Sequence, residues 1–134
     1  MTVVGIGTDL VAISRLGRIV ARHGERFAAR ILAPPEYQIW QDHAAPTAYL
    51  ARRWAAKEAA AKALGTGIGA SVGLQDLCVT NAAGGAPHLA VSGRAADTAR
   101  LLGVAEWHIS ISDDGDFALA FVIAAGGDGP GRGA

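Results

Sequence analysis

Three residues of this chain have the types and the setting for phosphate chemistry. Glu58 and Lys62 lie four apart in RRWAAKEAAAKALGTGIG, and Asp9 follows a hydrophobic run near the start. Magnesium is held by one or two protein carboxylates, with phosphate oxygens and water completing its shell. Asp9 and Glu58, if they meet in space, are enough for such a substrate-assisted site and too few for a structural metal cage. Lys62, one helical turn from Glu58, could neutralise a phosphate on the same ion, and backbone N–H groups of residues 65–69 could approach another. The glycines fit neither a Walker A loop nor a dinucleotide fingerprint. Zinc is disfavoured, because His23, His43, His88 and His108 are scattered and Cys78 is the single cysteine. Taken alone, the Glu58–Lys62 pair also reads as an ordinary surface salt bridge that stabilises a helix by about 0.2–0.5 kcal/mol. Asp9 taken alone reads as a turn or capping residue.

The elements around these residues decide between the two readings. No proline interrupts residues 48–64, and strong helix formers fill them, so the central segment is a helix that Gly65 ends. Its small residues Ala55, Ala59 and Ala63 let it lie against another backbone or a ligand, with Lys57 pointing away from the Glu58–Lys62 face. At the start, VVGIG reads as a buried strand over residues 2–6, with glycine permitting close approach and Asp9 just beyond its end. Ser14 is a candidate N-cap for a helix over residues 15–32, with a weak point at Gly24. Within it Arg15, Arg18, Arg22, Arg26 and Arg30 fall in an arc of roughly 120° beside an apolar stripe. Pro34 and Pro35 close that helix and start a short one reaching residue 43, with Tyr37 and Trp40 as packing anchors. The pattern then turns to period two. It predicts strands over 74–80 and 88–91 joined by NAAGGAP, a helix over 93–102, and strands over 107–112 and 117–124. This order makes an α+β domain over residues 1–125, a compact antiparallel sheet with packed helices, followed by a disordered glycine-rich tail over 126–134.

Composition narrows the function. Twelve basic and twelve acidic residues cancel, which argues against bulk attraction to nucleic acid. The basic charge is concentrated on the arginine helix, which suits one acidic protein partner. Hydrophobic residues make 51% of the chain, much of it alanine, so the core is built from small side chains. Cys78 reads as a buried thiol in a reducing compartment. With no signal pattern and no apolar run of roughly 18 residues, the expected location is the cytoplasm, away from membranes.

GIGTDLVAISRL, RRWAAKEAAAKALGTGIG, GGAPHLAVSG and HISISDDGDFALAFVIA, in that order, resemble the holo-[acyl-carrier-protein] synthases, small 4′-phosphopantetheinyl transferases. The resemblance spans residues 4–124. It implies transfer of the 4′-phosphopantetheine arm of coenzyme A to a serine hydroxyl of apo-acyl carrier protein, releasing adenosine 3′,5′-bisphosphate. It implies Asp9 and Glu58 as magnesium (Mg2+) ligands, Lys62 at the pyrophosphate, and Gly65, Thr66, Gly67 and Pro87 along coenzyme A. It also implies a homotrimer with active sites at subunit boundaries, and a carrier protein docked on Arg15, Arg18, Arg22 and Arg26. The serine proton is expected to go to water at the metal, oriented by Glu58 or by Asp113. Asp113 departs from many relatives, which carry a histidine there that approaches coenzyme A. Against this stand a non-catalytic module that binds an acidic helix, and an enzyme for another pyrophosphate.

Overall fold

The computed structural model describes residues 1–127. Its organising element is helix α4 (Pro46–Ala63), around which the other layers are laid. Leu50, Ala51, Ala55, Ala56, Ala59, Ala60 and Ala61 are buried on different sides of it. Alanine adds no bulk to a helix surface, so neighbouring backbone can come nearer than it could to leucine.

Strand β1 (Thr2–Ala12) uses that space. Gly5 and Gly7 lie directly on the α4 backbone, where a Cβ would collide with the carbonyl oxygens of Ala63 and Ala59. β1 pairs antiparallel with β5 (Phe117–Gly126), which pairs antiparallel with β4 (Val104–Asp114), giving the sheet order β1-β5-β4. Period-two alternation divides this sheet. Ala118, Ala120, Val122 and Ala124 are buried, while Phe117, Leu119 and Phe121 remain substantially exposed with Ile6 and Leu10 of β1. The hairpin of β2 (Leu77–Asn81) and β3 (Pro87–Val91) forms a second sheet, and α5 (Gly93–Leu101) follows it. The remaining helices are α1 (Ile13–His23), α2 (Glu25–Ile31) and α3 (Pro34–Gln41). The expected α+β class is therefore observed. No helix among the described residues is long and apolar enough to cross a membrane.

Several local expectations are corrected. β1 runs six residues further than residue 6, because β5 pairs with it as far as Ala12↔Phe117, so Asp9 is inside a strand opposite Ala120. Ser14 is in the first turn of α1 and caps nothing there. Instead its N–H and hydroxyl donate to Asp116 at 2.9 and 2.5 Å. The single helix expected over 15–32 is two, broken at Gly24, whose φ of 68° is left-handed and ends α1. Residues 74–76 make a short 3-10 turn, so β2 begins at Leu77. β5 continues through Gly126, one residue into the expected tail, and residues 128–134 of that tail lie outside the described residues.

Candidate active site

The register of β1 on α4 brings the chemistry-bearing residues together. Gly5, Gly7 and Asp9 alternate onto the strand face that meets α4, so once the glycines seat on the helix, Asp9 reaches its last two turns. Lys62 Nζ donates to Asp9 Oδ1 at 3.0 Å and to the Thr8 carbonyl oxygen at 3.0 Å. Glu58 lies one turn earlier on α4. Partial burial raises its carboxyl pKa first, the negative charge of Asp9 raises it further, and the Lys62 ammonium opposes both. Two carboxylates thus repel one another over a space where a single ammonium only partly compensates them.

That donor set fits magnesium. Hard oxygen ligands from two carboxylates suit an ion that keeps its remaining positions for water and substrate phosphate. Among the described residues no group of three or more His, Cys, Asp or Glu side chains could hold a metal ion. A cation at Asp9 and Glu58 would therefore need the substrate to complete its shell.

The glycine segment after α4 behaves differently from expectation. Gly65 and Gly67 take φ of 77° and 67°, which turns the chain off the helix end. The N–H of Gly65 donates to the Lys62 carbonyl, those of Thr66 and Gly67 to Ala61, and that of Gly69 to Val72, at 2.9 to 3.3 Å. These four donors cap the helix and close the loop, so within residues 65–69 they already have backbone partners. The segment presents exposed surface at Gly65, Thr66, Gly69, Ala70 and Ser71.

The other candidate residues lie away from the cluster. Pro87 opens β3 opposite Asn81, whose side chain accepts from Arg53 of α4 at 3.0 Å. Arg15, Arg18 and Arg22 are exposed on α1, while Arg26 and Arg30 sit past the Gly24 break on α2. The expected single basic stripe is thus bent. Arg26 and Arg30 line a groove of about 470 Å³ together with Ile19, His23 and Phe27. None of the five arginines forms an ion pair among the described residues. Asp113 accepts from Arg52 of α4 at 3.0 Å, so its charge is already matched. His108 is half-exposed, 3.3 Å from Glu106. Cys78 is half-buried, and burial, followed by the charge of Glu36, pushes its thiol pKa up, away from the reactive thiolate.

Sequence reasoning missed Lys57. It was expected to point away from Glu58, and it does, into the protein: it is fully buried and its Nζ lies 2.6 Å from Glu36 Oε1. Burial lowers the lysine pKa, and Glu36 works against that. The signal was present in Leu50, Lys57, Ala61 and Leu64, which fall on one helix face at spacings of seven, four and three. A lysine on an apolar face needs an acid, and Glu36, three residues past Ala33 at the α3 start, is placed to supply it.

Comparison with known proteins gives the family. A family model described as the 4′-phosphopantetheinyl transferase superfamily matches residues 5–122. The holo-[acyl-carrier-protein] synthase of Halorhodospira halophila is 53% identical over 125 residues, covering 93% of this chain and 99% of that protein. The crystal structure of the Neisseria meningitidis holo-[acyl-carrier-protein] synthase superposes with a TM-score of 0.87 at 38% identity, over 92% of this chain and 98% of that one. The Helicobacter pylori enzyme, crystallised in complex with coenzyme A, superposes with a TM-score of 0.79 at 31% identity, over 90% of this chain and 99% of its own. With a family match across nearly the whole fold and relatives of this similarity, the chain belongs to the 4′-phosphopantetheinyl transferases, among the holo-[acyl-carrier-protein] synthases.

Proposed function

We propose that the protein transfers 4′-phosphopantetheine from coenzyme A to a serine hydroxyl of apo-acyl carrier protein, releasing adenosine 3′,5′-bisphosphate, in a magnesium-dependent reaction in the cytoplasm. The observation that carries this reading is the convergence of Asp9, Glu58 and Lys62 from β1 and α4. The serine oxygen bonds to the phosphorus that bears the pantetheine arm. The bond from that phosphorus to the oxygen of the adenosine-side phosphate breaks, and the bisphosphate leaves with the electron pair.

Asp9 and Glu58 would hold the magnesium ion, which when bound offsets the charge of the diphosphate. Lys62, half-exposed at the mouth of the cluster, brings its ammonium against the same phosphates and stabilises charge on the leaving oxygen. Binding substrate requires its contact with Asp9 to loosen or be shared. Water oriented by Glu58 takes the serine proton. Asp113 is the weaker alternative because Arg52 already engages its carboxylate. Thr66, Gly65 and Gly67 offer a low-relief surface for the extended coenzyme.

The carrier protein docks on Arg15, Arg18, Arg22 and Arg26, whose unpaired charges suit an acidic helical partner and speed its capture. The apolar outer face of the sheet, with Ile6, Leu10, Phe117, Leu119 and Phe121, supports assembly with further copies of the chain, a homotrimer in this reading. Trimer formation brings Pro87 of one copy toward the cluster of another.

The test is direct. Incubated with coenzyme A, magnesium and apo-carrier protein, the enzyme adds the mass of one phosphopantetheine to the carrier. Chelation stops the transfer, as does serine-to-alanine substitution in the carrier. A carrier left unmodified at high enzyme concentration sinks the proposal.

A further inference from the structure

Lys57 belongs to no part of the mechanism, yet it is buried and fully hydrogen-bonded. All three of its ammonium protons are used. One goes to Glu36 Oε1, one to the Ile31 carbonyl at 2.8 Å and one to the Leu74 carbonyl at 3.0 Å. Glu36 in turn accepts from the Ala33 N–H at 2.8 Å through Oε1 and from the Val79 N–H at 2.8 Å through Oε2. The pair therefore ties together the end of α2, the start of α3, α4 and the chain entering β2.

One of these ties bears on substrate. Residues 65–73 leave α4 at Gly65 and return at Leu74, so Lys57 holds the returning end of this segment to the helix that carries Glu58 and Lys62. The leaving end is capped onto α4 by the N–H groups of Gly65, Thr66 and Gly67. Two side chains fasten the middle: Arg94 donates to the Ala70 carbonyl at 3.1 Å and Thr98 to the Ser71 carbonyl at 2.9 Å. Both come from α5, which does not carry the cluster. Lys57 is the side chain that fastens the returning end to the helix carrying the cluster.

Resting on the transferase reading above, we infer that Lys57, with Glu36, is a positioning residue for coenzyme A. It fixes the returning end of residues 65–73 relative to Glu58 and Lys62 without touching substrate. Glu58 is placed separately, by the seating of Gly5 and Gly7 on α4. Loss of Lys57 should consequently act on coenzyme A binding and much less on the chemical step.

The test compares Lys57→Met, Glu36→Gln and the double variant with the wild-type enzyme, by urea unfolding, amide hydrogen exchange and steady-state kinetics with coenzyme A and apo-carrier. Each single variant leaves a buried polar or charged group without its partner and loses stability. The double variant removes both charges and recovers part of that stability, but the Leu74 carbonyl still lacks its donor. Exchange of the amides of residues 65–73 should therefore stay faster by about tenfold in Lys57→Met and in the double variant, the scale of one lost hydrogen bond to a charged group. The coenzyme A KM should rise by a similar factor, with kcat within about twofold. If exchange is unchanged, or the KM recovers along with stability in the double variant, Lys57 serves only the fold and the inference is overturned. Faster exchange in the Lys57 variants, beside a wild-type protein that transfers nothing, would leave the brace standing and remove the transferase reading instead.

Discussion

Two lysines five residues apart on one helix meet carboxylates in opposite ways. Lys57 is sealed from solvent, with every proton donated and its carboxylate partner fully engaged by backbone N–H groups as well. Lys62 is half-exposed and shared between Asp9 and a carbonyl, beside a second carboxylate that it does not fully neutralise. A complete network can only hold, since any ligand would have to displace a good partner. An incomplete one has capacity left for a cation and a phosphate. The difference separates support from chemistry within a single helix.

The largest effect should come from breaking the sealed pair. Lys57→Met strands a buried carboxylate and two carbonyls, and a loss of about 3–5 kcal/mol is expected in urea unfolding. A loss under 1 kcal/mol would show that the pair is wetter or weaker than its geometry. Next, Glu58→Gln should lower turnover by about a hundredfold or more while the unfolding midpoint stays or rises, because it removes repulsion from Asp9. Near-normal turnover in magnesium would take Glu58 out of the metal site.

Third, Arg22→Glu should slow carrier capture by about tenfold at low salt and flatten its salt dependence, with the coenzyme A KM unchanged. Equal losses for both substrates would remove α1 as the docking surface. The smallest shift in stability is expected for Lys62→Met, under about 1 kcal/mol for so exposed a pair, although turnover falls. A stability loss matching that of Lys57→Met would erase the contrast between the two lysines.

Much of this was legible in the residues. The alanines of α4 and the glycines of β1 announce close backbone approach from both sides, and they do meet, Gly5 on Ala63 and Gly7 on Ala59. The α+β order, the hairpin and the helix stop at Gly65 follow from local pattern and turn chemistry. Strand ends did not, because β1 and β4 are lengthened by pairing with β5, a partner distant in sequence.

By itself the sequence determined which residues can do chemistry, and the helix face on which Glu58 and Lys62 stand, since 3.6-residue periodicity is local. Only the tertiary structure decided that Asp9 lies within bonding distance of Lys62, that Asp113 is matched by Arg52, and that four of the loop N–H groups are already used. It also decided that Lys57 is a brace with no place at the reaction centre. The reason is common to the side chains: the partner of a polar side chain is chosen by packing between distant segments, and no local pattern encodes that choice.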